Sequence, residues 1–328
     1  MTGSRQIASR SLEYLFTVWV IVTLNFFLPR AMPGDPFLHL SGQSGEETAV
    51  FTQAQRKRYM ETYGLDRPAL SQYGSYLSRL LTGNLGGSLY YNEPVLDILL
   101  ERLPWTVFLV AGSVLLSTFA GVILGGISAW FRGGWIDGAL YFMLIFISEI
   151  PAFLLGLLML FVFAAGMGWF PLSGAVTHYA DFQGIWEKAS DICRHAALPI
   201  LSLAVVRTSG LYLLARSSMI NTITREYVRT ATAKGLSRRR ILIRHVMRNA
   251  MLPIVTRVFL TLGSLVGGAI LVENVFDYPG LGRLMREAVI MQDYPLIQGI
   301  FLLVTVCVLT ANFAADFLYA ALDPRLKE

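Results

Sequence analysis

Long uncharged apolar runs constrain this chain more than any other feature, because a helix needs about 20 mostly apolar residues to cross a bilayer core. Six runs qualify. They cover residues 14–29, 103–131, a stretch after Asp137 that continues past Glu149 and Pro151 to about 166, the interval between Arg194 and Arg216 broken only by Arg207, residues 253–272, and residues 294–315. The composition agrees: 54% of the 328 residues are hydrophobic and only 15% are charged. A soluble domain carries about 25% charged residues, so this chain lacks the polar side chains to coat a globule of its size. An aromatic content of 12% and only two cysteines, Cys193 and Cys307, also exclude disorder and a disulfide scaffold. The expected class is an all-α polytopic membrane protein with six transmembrane helices. The first run reads as an uncleaved anchor, since Leu28-Pro29-Arg30-Ala31-Met32-Pro33 offers no small-x-small cleavage site.

Lysine and arginine set the orientation. The segment from Arg216 to Arg248 holds nine basic residues against a single acid, Glu226. That loop is expected in the cytoplasm with the N-terminus, the 132–137 turn and the Arg325/Lys327 tail, so both termini share that side. The net charge of +5 resembles a nucleic-acid signal only until it is seen to sit in this one loop. The segment from Arg30 to Arg102 falls outside by alternation and is nearly neutral, with seven basic and eight acidic residues. Thr52-Gln53-Ala54-Gln55 could open a helix that stops at Gly64. Pro68 with Leu70, Tyr73, Leu77 and Leu80 makes a second helix ending before Gly83, and a third short one runs from Pro94 to Pro104, where the second span opens. The expected organisation is thus a tail and first span (1–30), an extracytoplasmic helical cap (31–103), a five-helix core (104–321) with a cytoplasmic loop at 216–252, and a tail (322–328).

Within the basic loop Ile220, Ile223, Tyr227, Val228 and Ala231 recur on one helical face, with Gly235 as a left-handed stop. Ser237 can cap a second helix that runs to Pro253. Periodicity and charge leave two readings of the first helix open: it lies on anionic lipid, or it docks to a cytoplasmic protein.

The residues themselves go further. Glu226-Tyr227-Val228-Arg229-Thr230-Ala231-Thr232-Ala233-Lys234-Gly235-Leu236-Ser237, followed by Arg248-Asn249-Ala250-Met251-Leu252-Pro253, resembles the cytoplasmic signature of binding-protein-dependent ABC importer permeases. The branch it is most similar to is the oligopeptide/dipeptide/nickel family, B-type subunit. Pro33-Gly34-Asp35-Pro36, Tyr63-Gly64-Leu65-Asp66-Arg67-Pro68, Gly83-Asn84-Leu85-Gly86-Gly87-Ser88, Arg102-Leu103-Pro104, Val275-Phe276-Asp277-Tyr278-Pro279-Gly280-Leu281-Gly282, Asp293-Tyr294-Pro295 and Asp323-Pro324-Arg325 match in order. Arg229-Thr230-Ala231 stands where the broad signature has Glu-Ala-Ala, and fourteen residues separate Gly235 from Ala250, more than that signature has; both departures are shared by the branch.

The resemblance implies a type I ABC importer permease fold in the bacterial inner membrane. It makes Tyr227, Arg229, Thr230, Ala231, Lys234, Gly235 and Leu236 a coupling helix that sits in a cleft of a partner ATPase, with small residues at Thr230 and Ala231 gripped closely. The implied partners are a second homologous permease, two cytoplasmic ATPase subunits and an extracytoplasmic substrate-binding protein. Di- or oligopeptides are the implied cargo, with nickel or a metal chelate as the alternative. The chain is expected to be non-catalytic: it holds no Gly-x4-Gly-Lys-Ser/Thr loop, so ATP and Mg would be bound by the ATPases.

Intramembrane polar residues are the candidates for a pathway: Glu149, Arg207, Glu273 and Asn274, with Asn312 and Asp316 further along. Gly121/Gly125 and Gly263/Gly267 are small-xxx-small pairs suited to helix packing. His39, His178, His195 and His245 show no metal-ligand spacing. An ion-coupled secondary transporter using Glu149, Glu273 and Asp316 is the rival reading, but the inverted repeats such folds carry are not visible. A hydrolase built on Ser128 lacks a histidine within the spans to act as base.

Overall fold

The computed structural model describes the backbone of residues 2–31 and 68–322, and the side chains of 16–31 and 68–313 apart from 238, 252 and 260–268. The helix expected between Thr52 and Gly64, His39, the motifs at 33–36 and 63–67, the packing of Gly263/Gly267, the side chain of Asp316, and the closing Asp323-Pro324-Arg325 lie outside what is described. The described part is helical, with one isolated β-bridge between Gly87 and Pro94. The helices are α1 (Thr2–Arg30), α2 (Ala69–Leu81), α3 (Val95–Trp130), α4 (Trp135–Ser148), α5 (Ala152–Met159, extended by a π-wound stretch Leu160–Gly166), α6 (Ile185–Ile223) and α7 (Glu226–Ala233). After Arg238–Arg240 and a π-wound Ile241–Met247 come α8 (Arg248–Val275), α9 (Leu281–Ile290) and α10 (Tyr294–Leu322).

Three helices are long and apolar enough to cross a membrane among the described residues: Val95–Trp130, Ile185–Ile223 and Tyr294–Phe313. Trp135–Ser148 with Ala152–Gly166 makes a fourth only if counted as one span, for the two meet at 97°. The cause is local. Pro151 has no N–H to donate and, unlike Pro104 and Pro253, leaves the helical region itself, with ψ 137° as the N-cap of the second helix, so the third apolar run folds as two helices. The first run survives as a shorter apolar helix, Phe16–Arg30, and the fifth lies inside α8. Pro104 does not open a span. It sits inside α3, which runs unbroken from Val95 to Trp130, so the short helix expected before it and the span beyond it are one element. Pro253 is likewise internal to α8. Phe119, Trp135, Phe142 and Phe146 are exposed on α3 and α4, which suits a lipid surround.

Two compact units emerge. The first comprises Met1–Leu103 with Leu284–Val306. Here Phe26 is fully buried against Tyr73 and Tyr76 of α2, at ring separations of 5.2 and 5.6 Å. Asn25 donates to the Gln298 carbonyl at 2.8 Å, and Thr23 bonds the Tyr73 hydroxyl at 2.8 Å. The 83–94 turn is held by Asp293, which stands just before α10. Its carboxylate accepts from Ser88 Oγ (2.5 Å), Tyr90 N (3.0 Å) and Leu296 N (3.1 Å), so one side chain caps α10 and pins the turn. Tyr91 donates to Glu287 at 2.7 Å, and burial beside that carboxylate pushes its phenol upward. The motifs at 83–88 and 293–295 are therefore two halves of one structural lock.

The second unit comprises Pro104–Arg283 with Cys307–Glu328. Within it α3 meets α6 closely, where Gly121 and Gly125 let two backbones approach. A Cβ at Gly125 would stand 2.7 Å from that of Ala215 and 2.9 Å from the Tyr212 carbonyl, and one at Gly121 would stand 2.7 Å from Leu211. Packing explains both glycines.

Candidate functional site

The basic loop folds as a short helix seated on the ends of three long ones. Val228 and Ala231 of α7 are buried, and they pack with Val122 and Ala129 of α3, Ala215 and Met219 of α6, Ile241 and Val246, and Ala250 and Ile254 of α8. Burial of a side chain the size of valine contributes about 1.5–3 kcal/mol, enough to fix so short a helix in place. The C-terminus closes with a left-handed glycine. Gly235 has φ +75°, its N–H donates to the Thr232 carbonyl at 2.9 Å, and Leu236 N–H donates to that of Ala231 at 3.3 Å. This is the Schellman pair of bonds, and Leu236 packs back on the same apolar cluster.

Seating decides which residues face outward. Tyr227, Arg229, Thr230 and Lys234 are exposed, while Ala231 points into the protein's own core. Ala231 is thus not a surface offered for a partner to grip. Ile220 and Ile223 belong to α6, because the helix ends at Thr224–Arg225, and Tyr227 leaves the expected apolar stripe to stand outside. Arg229 pairs with Glu226 at 3.1 Å on the exposed face, an ion pair worth a few tenths of a kcal/mol. An apolar cavity of about 500 Å³ opens beside α7, lined among others by Trp130, Ile223, Val228, Leu236 and Leu242.

The floor beneath α7 is tied by a charged clamp that the sequence did not single out. Arg216 of α6 grips Asp137 of α4 with two parallel bonds, Nε to Oδ1 at 2.7 Å and Nη2 to Oδ2 at 2.8 Å. Ser128 of α3 donates to Asp137 and bonds the Tyr212 hydroxyl at 2.8 Å, and Gly133 N–H reaches the same carboxylate at 3.0 Å. Three helices and a turn meet on one carboxylate. Asp137 and Arg216 had marked only the borders of apolar runs, and nothing in their spacing pairs residues 79 apart. Ser128 hydrogen-bonds as a structural hydroxyl in this clamp.

The polar residues of the spans separate by environment. Glu273 is fully buried at the end of α8 and accepts from Thr106 Oγ1 at 2.7 Å and Gly282 N at 2.5 Å, while Thr106 Oγ1 takes the Leu281 N–H at 2.8 Å. It caps the first turn of α9, a helix that the apolar pattern did not predict. A Cβ on Gly280 or Gly282 would collide with that carboxylate, which accounts for the Pro279-Gly280-Leu281-Gly282 motif. Asn274 donates to the Ile270 carbonyl at 2.8 Å and to that of Gly282 at 3.3 Å. Glu149 is exposed at the 97° bend. Arg207, within α6, reaches Ser113 Oγ at 3.4 Å. His195 bonds the Asp191 carbonyl at 2.9 Å. Among the described residues no group of three His, Cys, Asp or Glu side chains could hold a metal ion.

An apolar helical bundle with a short helix seated on it inside a basic loop is the architecture of an ABC importer permease. The fold is similar to that of the inward-facing MetNI methionine ABC transporter, with a TM-score of 0.56 at 16% identity over 69% of this chain and 96% of that one. The chain belongs to the family described as binding-protein-dependent transport system inner membrane component, whose model matches residues 121–328. It is 38% identical over 308 residues, 94% of each chain, to a protein of Brucella suis biovar 1 that is named a peptide permease. The oligopeptide transport system permease protein AppB of Bacillus subtilis is 34% identical over 94% of each chain. The glutathione transport system permease protein GsiC of Escherichia coli O6:H1 is 33% identical over 98% of each. Family membership makes this an inner-membrane permease subunit of an ABC importer, non-catalytic itself, whose ATPase and substrate-binding protein are separate partners.

Proposed function

We propose that this chain forms half of the translocation pathway of a peptide importer, with six spans, both termini in the cytoplasm, and a second homologous permease as the other half. Two ATPases, which hold the ATP and Mg, meet the membrane part at α7, and the binding protein delivers cargo onto the cap at 31–103. The observation that carries the coupling role is the way α7 is held. Its inner face is anchored by Val228, Ala231 and Leu236, and its outer face presents Tyr227, Arg229, Thr230 and Lys234. A helix so fixed moves as a rigid body, and the Asp137–Arg216 clamp hands that movement to α3, α4 and α6 together. Peptide cargo is favoured over nickel because the relatives cited above are named for peptides, oligopeptides and glutathione. Of the pathway candidates, Arg207 and Glu149 keep the role best, since Glu273 and Asn274 are engaged in holding α9. The test is ATP-driven uptake of labelled peptide by the complete transporter in proteoliposomes. Peptide uptake that needs both ATP and the binding protein supports this reading. Uptake driven by an ion gradient without the ATPases would replace it with the secondary transporter.

A further inference from the structure

Arg207 lies deep in the 39-residue helix α6, thirteen residues after Arg194 and nine before Arg216. At a rise of 1.5 Å per residue it stands about 13 Å from the Asp137 clamp. Among the described residues its one hydrogen bond goes to Ser113 Oγ on α3, and that hydroxyl in turn donates to the Val110 carbonyl at 2.8 Å. No carboxylate of the described residues lies within ion-pair distance of it. A hydroxyl accepts one N–H but leaves the charge uncompensated, and an unpaired arginine within a membrane-spanning helix is costly. One turn further along the same face is Gly210, where an added Cβ would meet nothing within 4 Å. A positive fork with unfilled donors therefore stands next to open space, in the helix that leads to the clamp and then to α7.

The geometry points to Arg207 as the binding residue for the C-terminal carboxylate of the peptide cargo, engaged as cargo passes and released on exit. This rests on the peptide-importer reading above. Guanidinium and carboxylate match in a planar, two-bond geometry, and the peptides and glutathione named for the relatives all end in a carboxylate. A permanent pair with a carboxylate on the second permease suits the site less well. A fixed buried pair gains little over apolar packing.

The test uses the complete transporter in proteoliposomes, with its own binding protein, and two forms of one labelled peptide: free acid and C-terminal amide. Any preference of the binding protein cancels when wild type and variant are compared as a ratio of ratios. Arg207→Gln is expected to cut the acid-over-amide uptake ratio about ten-fold, equivalent to about 1.4 kcal/mol, with amide uptake within about two-fold of wild type, a span of about 0.4 kcal/mol. Gly210→Leu leaves the charge in place but fills the neighbouring space, and is expected to lower the same ratio; it serves if the Arg207→Gln chain itself fails to fold and reach the membrane. An unchanged ratio in both variants overturns the assignment, as does loss of the second permease from purified Arg207→Gln complex, which would make the arginine's partner a protein carboxylate. If wild type takes up neither form, the peptide reading itself falls and this assignment with it, a result distinct from an unchanged ratio.

Discussion

Asp137 serves three elements through one carboxylate: it accepts from Arg216 on α6, from Ser128 on α3 and from the Gly133 amide in the turn before α4. Replacing it by asparagine keeps the shape but removes the charge that the arginine needs. Hydrogen bonds to charged groups contribute about 1.5–3 kcal/mol, so Asp137→Asn is expected to lower the thermal stability of the purified subunit complex by several degrees. If α3, α4 and α6 move as one, uptake should fall further than membrane abundance does, read as transport per unit of protein by immunoblot. Gly235 is the second single-residue lever. At φ +75° a β-branched residue costs about 1–2 kcal/mol, with no side-chain clash because nothing lies within 4 Å of the position. Gly235→Val should therefore leave the protein in the membrane, loosen the end of α7 and reduce uptake, whereas Gly235→Asn should be far milder. Equal uptake by wild type and the valine variant would argue that the Schellman turn does not matter for coupling.

At the scale of elements, α9 depends on Glu273 in α8. The carboxylate takes the Gly282 N–H and Thr106 holds that of Leu281, so Glu273→Ala leaves the first turn of α9 without its acceptor. An unsatisfied buried donor costs about 1–3 kcal/mol, and faster hydrogen exchange across 277–290 is the expected readout. Thr106→Val should act in the same direction with a smaller effect. This contact also shows where the sequence was opaque. Apolar runs are visible in one dimension, so the long helices, the two packing glycines of α3, and the short helix with its glycine stop could be read directly. The helix α9 could not, because its defining interaction joins residues on different elements and its face is amphipathic rather than apolar. The bend at Glu149–Pro151 was hidden for another reason: hydropathy sums over the run and ignores the proline that splits it. Tyr227 was misplaced because the stripe Ile220–Ile223–Tyr227 keeps its period across a helix break at Thr224. The residues of the clamp and of the Asp293 lock were all visible, but only three-dimensional proximity pairs them.

For the whole molecule, the proposed role is that of a rigid lever between an ATPase outside the bilayer and a path within it. In that proposal the basic charge of the 216–248 segment orients the chain, Val228, Ala231 and Leu236 fasten α7 to the apolar cluster, and the clamp ties α3, α4 and α6 to one another. Topology follows directly: a single cysteine at position 229 should react with a membrane-impermeant maleimide in inside-out vesicles and not in intact cells, once Cys193 and Cys307 are replaced. The central claim, that the outer face of α7 meets the ATPase, is tested most directly by Thr230→Cys in the assembled transporter, treated with a short bifunctional maleimide. The predicted result is a covalent adduct between this subunit and the ATPase, formed in complexes that still take up peptide. A transport-competent complex in which the introduced thiol is accessible yet never joins the ATPase would contradict that claim.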